Sequence, residues 1–259
     1  MSPTLIAVVL VAVLFLGMLA MNEAGRRIGL ARIARDPSGL SSGGGAAEAA
    51  VFGLLGLLIA FTFSGAAERF QARKQLITQE ANAIGTAYLR LDLVAAGAQP
   101  EMRDLLRRYL EVRIKTYSDV SDVEATAARL AEGGALQSTI WTKALAAAAA
   151  PGANADATKL LVPALNDMFD ITTTRVMATR DHPPTVIYLL LAGLCLVGAL
   201  LIGYDLSGHA PRPWLHPIAF SAVLTLCVYV VIDLEFPRLG LIRVSDSDRI
   251  LVELRQSMR

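Results

Sequence analysis

The sequence predicts an all-α integral membrane protein, on three observations: four long apolar runs without a charge, helical periodicity between them, and turn signals that separate the helices. The runs are Pro3 to Met21, Ala49 to Ala67, Pro184 to Tyr204 and Pro213 to Ile232. Each lacks Asp, Glu, Lys and Arg over roughly 19 residues or more, the length that crosses a ~30 Å hydrocarbon core. In lipid each must be helical, because no water is present to satisfy the backbone. The mean hydropathy of +0.49 agrees. No stretch of useful length alternates apolar and polar residues as a strand would. The first run has no basic residue ahead of it, which argues against a secretory signal.

These runs divide the chain into four parts. Residues 1–67 hold the first two membrane helices and an Arg-rich, then Gly/Ser-rich, connecting loop. Residues 68–183 form an inserted helical soluble domain, 184–233 the third and fourth membrane helices, and 234–259 a polar C-terminal tail. In the first loop Arg26, Arg27, Arg32 and Arg35 precede a flexible linker over Ser38 to Ala47. Its triple glycine, Gly43 to Gly45, is not followed by Lys and Ser or Thr, so it is no phosphate loop.

The second run has no helix breaker after Glu68, and its helix is expected to continue toward Leu93. Phe70, Ile77, Ala81, Ile84, Tyr88 and Leu91 fall on one seam, a heptad-like stripe suited to packing against other helices or holding subunits together. Pro100 suits the first turn of the next helix, which carries Leu105, Leu106, Tyr109, Val112 and Tyr117 with Arg103, Arg107, Arg108 and Arg113 between them. Ser121 and Glu124 have capping-box spacing and open a short helix that Gly133 and Gly134 close. An alanine run, Ala144 to Ala150, ends at Pro151 and Gly152. A last soluble helix from about Asp156 has Leu161, Leu165, Met168, Thr172 and Val176 on one face, with Pro163 as an irregularity near its start.

A net charge of +1 provides no global field for nucleic acid, and no nucleic-acid partner is expected. Cys195 and Cys227 lie in apolar runs and read as small hydrophobes. The histidines, His182, His209 and His216, sit at span boundaries without metal-ligand spacing or a neighbouring nucleophile motif. No catalytic residue, metal site or cofactor is expected. Membrane lipid is an expected partner of such a chain.

The strongest local pattern is on the second run. Gly53, Gly56, Ala60, Ser64 and Ala67 line one face with small residues. One reading is close helix packing. The other is that several copies of this helix surround an axis, small and hydroxyl side chains lining a passage, with Phe52, Phe61 or Phe63 as an apolar gate. Glu68, Arg69, Arg73 and Lys74 follow, with Glu80 and Asn82 beyond. They form a charged collar that is either a solvated helix face or a ring setting the sign of admitted ions. Asp233 and Glu235, at the end of the fourth run, call for an interfacial salt-bridge partner, and Arg238 is nearest in sequence.

The run Gly53-Leu-Leu-Gly-Leu-Leu-Ile-Ala-Phe-Thr-Phe-Ser-Gly-Ala-Ala-Glu-Arg-Phe, then Ala72-Arg73 and Glu80-Ala-Asn-Ala-Ile-Gly-Thr-Ala-Tyr-Leu-Arg90, resembles the bacterial bestrophin-like membrane proteins of unknown function, over nearly the whole chain. Phe61, Ala66, Glu68, Arg69, Phe70 and Lys74 also match positions that bestrophins carry at the end of their second span. Thr62 stands where bestrophins have an arginine, and Gln71 where they have a second aromatic residue. The resemblance implies a ring-shaped, pentameric, anion-permeable channel of the bacterial inner membrane. It further implies second spans that line the pore, and termini and a central domain that are cytoplasmic. The arginine counts around the spans conflict on orientation, and the resemblance tips them toward a cytoplasmic domain.

Two functions therefore compete: a symmetric homo-oligomeric ion channel, anion-selective by resemblance, and a non-conducting scaffold or sensor whose helical domain docks a partner protein.

Overall fold

The computed structural model describes residues 3–35, 45–118, 122–209, 213–238 and 240–258, which are mostly helical with no strand among them. Among the described residues eight α-helices follow in order: α1 (Pro3–Arg35), α2 (Gly45–Leu89), α3 (Gln99–Ser118), α4 (Val123–Ala149), α5 (Ala157–Arg180), α6 (Thr185–Asp205), α7 (Leu215–Glu235) and α8 (Ser245–Ser257). Among the described residues four helical stretches are long and apolar enough to cross a membrane: Leu5–Arg35, Gly45–Leu93, Ala157–Gly208 and Leu215–Glu235. Most of the Ser38 to Ala47 linker lies outside the described residues.

The chain forms two compact units, Met1–Arg69 with His182–Ile242, and Phe70–Asp181 with Arg243–Arg259. In the first, α1 and α6 approach so closely that only glycine fits between them. A Cβ at Gly203 would collide with the backbone of Asn22, and one at Gly25 with the carbonyl of Leu200. Asn22 Nδ2 donates to the Ala199 carbonyl at 3.2 Å across the same seam. The buried apolar core is small: Met18, Leu55, Leu191, Cys195, Ala199 and Val228. Lipid tails are as apolar as leucine, so helix association there rests on close packing through small residues.

The second unit has a larger core, built on the predicted seam. Ile77, Ala81, Ile84, Tyr88 and Leu91 are buried against α3, α4 and α5 residues such as Leu106, Tyr109, Ile140, Leu161 and Leu165. The seam is thus taken up inside the chain, not left for a neighbouring subunit. α2 ends at Leu89, and a 3-10 turn, Arg90–Leu93, completes the stretch expected to be helical.

Two elements differ from expectation. Gly133 and Gly134 do not end a helix, because α4 runs unbroken through them for 27 residues. Each glycine costs a helix about 1 kcal/mol relative to alanine, which the burial of Leu136, Ile140 and Ala144 on the same helix offsets. Ser121 lies outside the described residues, and the N-cap is Asp122, whose carboxylate accepts from the Ala125 amide at 2.9 Å. Gly152 then turns the chain with φ +86, a left-handed conformation that favours glycine. α5 begins after Asp156 and passes through Pro163 without division.

The polar tail carries a helix, α8. Val244, Leu251 and Met258 are buried in the core of the second unit, and Arg255 donates to Glu111 Oε1 at 2.7 and 2.9 Å.

Candidate functional site

The first part of α2 presents two faces. Leu55 and Ala66 are buried, and Phe52 packs inside the unit, its ring meeting Phe220 edge-on at 5.8 Å. On the other side Gly53, Gly56, Ala60 and Ser64 are exposed, and a Cβ at Gly53 or Gly56 would meet nothing within 4 Å. Phe61 and Phe63 are exposed as well, at 67% and 47%. The helical repeat puts these two rings on opposite edges of the small-residue face. Ala67 is half-buried. Thr62 lies away from this face, its hydroxyl donating to the carbonyls of Leu58 at 2.8 Å and Ile59 at 3.0 Å.

The charged collar does not stay together. Glu68 is exposed, and its carboxylate accepts from the Ser64 hydroxyl at 3.4 Å. Arg69 turns toward the end of α7, its Nη2 2.5 Å and Nε 2.8 Å from Glu235 Oε1. The Glu235 side chain is fully buried, and its other oxygen lies 3.3 Å from His182 Nδ1. The His182 ring stacks on Phe236 at 4.6 Å. Asp233, two residues earlier, accepts from the amides of Leu241 (3.0 Å) and Ile242 (2.7 Å). Both acids at the end of the fourth span are therefore held by donors, as carboxylates near hydrocarbon must be.

In the second unit Arg73 is buried and donates to the carbonyls of Ala178 at 3.0 Å and Asp181 at 2.9 Å. Those carbonyls lie at and just beyond the C-terminal end of α5, where carbonyls have no partner within the helix and the helix dipole also favours a cation. Lys74 is half-buried with its amine 5.8 Å from the centroid of the Phe70 ring.

Glu80 is not on a solvated face. It is fully buried between Arg113, whose Nε donates at 2.5 Å, and Arg175, whose Nη1 donates to the other oxygen. Tyr117 completes the cluster, its hydroxyl accepting from Arg113 at 2.9 Å and its ring lying 3.9 Å from the Arg175 guanidinium carbon. Asp248 of α8 stands 3.6 Å from Arg175. Burial pulls the Arg113 pKa down, but the Glu80 carboxylate together with Tyr117 and Tyr109 more than reverses this, and the net direction is up.

Sequence reasoning did not foresee this cluster. A signal existed, since Glu80 falls between Ile77 and Ile84 on the buried seam and Arg113 lies four residues from both Tyr109 and Tyr117. The partners stand 33 and 95 residues from Glu80, which no local spacing reveals.

Four spanning helices, a helical unit inserted between the second and third, and an exposed face on the second define a polytopic helical membrane protein. The chain belongs to the bestrophin-like family: residues 47–248 match the bestrophin-like domain. Two solved structures share its fold. One is a bacterial bestrophin homologue from Klebsiella pneumoniae, solved with a point mutation, at 15% identity and TM-score 0.65, covering 93% of this chain and 98% of that one. The other is a membrane protein, also a point variant, at 14% identity and TM-score 0.66, covering 95% of this chain and 99% of the other. No curated protein matches the chain.

Proposed function

We propose that this protein is a homo-oligomeric ion channel in which the exposed face of α2 lines the passage. The observation that carries this reading is the outward face of Gly53, Gly56, Ala60 and Ser64, ending in Glu68, which is exposed among the described residues of its own unit. Small and hydroxyl side chains leave room for water, and a carboxylate at the end of the face is costly unless it meets water or a partner. Copies arranged around an axis satisfy both conditions. Phe61 and Phe63 flank the face and are the candidates for an apolar gate that closes by dewetting. Phe52, packed on Phe220, is the weakest of the three gate candidates.

Membership in the bestrophin-like family supports the same reading, and with it a bacterial inner-membrane location and a cytoplasmic helical unit. On selectivity the resemblance and the residues part. The resemblance implies anions, whereas the face itself carries one acid and no base.

The second reading, a non-conducting scaffold or sensor, draws support from α4. Its exposed positions Ala131, Ala135, Ser138, Thr142, Leu145 and Ala149 form an uncharged line that suits a docking partner. Purified protein in a planar bilayer separates the two. Single-channel currents from a defined oligomer are expected, while a silent bilayer with intact oligomers transfers the weight to the scaffold.

A further inference from the structure

α1 is longer than a membrane needs. Its 33 residues extend about 50 Å at ~1.5 Å per residue, against a hydrocarbon core of roughly 30 Å. The surplus lies at the C-terminal end, where the uncharged run stops at Asn22 and Glu23, Arg26, Arg27, Arg32 and Arg35 follow. That end is fixed in place. A Cβ at Gly25 would strike the backbone of Leu200, and one at Gly29 the Ser207 side chain and the Tyr204 carbonyl. α1 therefore runs alongside the last turns of α6 and the 3-10 turn Leu206–Gly208. The level at which α6 gives out, at Tyr204 and Asp205, is the level at which the α1 arginines begin.

Arg27, Arg32 and Arg35 are exposed, and the helical repeat puts them within less than half a turn of one another around the axis. Ile28 and Leu30 between them are exposed as well, at 54% and 40%. Apolar side chains among arginines suit the layer where acyl chains meet headgroups better than they suit bulk water or hydrocarbon. Trp214 and Leu215, exposed at the start of α7, stand at the same end of the unit, where an aromatic belt belongs. Helical rise puts Arg32 about 7 Å and Arg35 about 12 Å beyond Arg27, and a headgroup layer is roughly 5–7 Å deep on each side of the core. Side chains lean toward the N-terminus of their helix, here back toward the membrane, so all three guanidinium groups reach that layer. The acids at this end lie lower. Glu23 is 2.9 Å from Arg27 and 3.5 Å from Arg26, Asp205 ends α6, and Glu48 is half-buried near the start of α2. α1 carries no acid beyond Arg27.

We infer that the C-terminal end of α1 is a binding site for an anionic phospholipid, whose phosphate is held by Arg27, Arg32 and Arg35. Guanidinium groups meet phosphate oxygens with paired hydrogen bonds as well as charge. Ile28, Leu30 and Trp214 take the glycerol and the upper acyl chain. A zwitterionic headgroup brings its own cation to the arginines and gains less from them. The site does not depend on whether the protein conducts.

The test is native mass spectrometry of the purified full chain in detergent, titrated with phosphatidylglycerol or with phosphatidylcholine. Wild type is expected to hold phosphatidylglycerol more than about tenfold tighter than phosphatidylcholine. The variant carrying Arg27→Gln, Arg32→Gln and Arg35→Gln is expected to lose most of that preference. A control that removes the same charge from exposed positions of the helical unit, Arg108→Gln with Lys115→Gln and Lys159→Gln, is expected to keep it. Size exclusion checks that each variant folds. If the triple α1 variant does not, the double variant Arg32→Gln with Arg35→Gln, which leaves the Glu23 pairings in place, is expected to show a partial loss. Equal affinity of the wild type for the two lipids would overturn the site, as would an unchanged preference in the α1 variants. An equal loss in the control would reduce the effect to net charge and overturn the assignment to α1. Displacement of phosphatidylglycerol by inorganic phosphate would identify a site for free phosphate and overturn the lipid.

Discussion

The two units of this chain are held together by different physics, and the difference follows from the solvent each is built for. The spanning unit buries few apolar side chains and relies on α1 and α6 meeting through glycine, with Asn22 bonded to a carbonyl across the seam. The helical unit buries a broad apolar core and, within it, two arginines on one glutamate. Water drives the second kind of assembly through apolar burial. Lipid provides no such drive between apolar helices, and shape must do more.

The largest expected effect of a single change belongs to the helical unit. Glu80→Leu leaves Arg113 and Arg175 buried without their shared carboxylate, at a cost of about 3–5 kcal/mol. Hydrogen exchange of the full chain in detergent should report this as faster exchange across α3 and α5. Unchanged exchange there would mean that the cluster contributes little to the unit. Next comes the spanning unit, where Gly203→Ala puts a methyl group against the backbone of Asn22. A cost of ~1–3 kcal/mol is expected for such overpacking, read as a lower midpoint of thermal unfolding with faster exchange in α1 and α6. A neutral result would show that this seam can open without penalty.

The smallest effect is one of pH. Burial of the Tyr109 phenol raises its pKa above the ordinary 10.0, outweighing Arg113 and the hydrogen bond to Thr172, which act to lower it. A raised folded-state pKa contributes stability that is complete below the unfolded value and is lost as pH rises through the folded one. The helical unit should therefore weaken as pH rises above 10, and Tyr109→Phe should flatten that dependence. An identical alkaline profile in the variant would remove Tyr109 from the account.

The same contrast governs what the sequence reveals. The spans were legible because a run of uncharged residues long enough to cross lipid is a strong signal with few rivals. The seam from Ile77 to Leu91 was legible because periodicity reports a buried face. Which partner a charge finds was not. Arg69 and Glu235 are 166 residues apart, and the collar read as one feature divides among an exposed acid, an ion pair and a helix cap. In sequence α4 reads as divided because glycine pairs usually end helices, and the docking of Leu136, Ile140 and Ala144 overrides that preference. α8 hides in a stretch whose composition reads as a polar tail, although Val244, Leu251 and Met258 recur every seven residues. Two of its three acids, Asp246 and Asp248, stand in the first turn and Arg255 in the last, the arrangement a helix dipole favours.

The claim that the exposed face of α2 lines an aqueous passage is tested most directly by cysteine accessibility during current recording. In a background carrying Cys195→Ala and Cys227→Ala, a charged thiol reagent added from water is applied to Ala60→Cys and Ser64→Cys, and to Leu58→Cys and Thr62→Cys on the other side of the helix. Rapid modification with loss of current at the first pair and not at the second is the expected result. Modification of Leu58→Cys and Thr62→Cys with the first pair inert would contradict the account and put a different face of the helix, or a different helix, on the path.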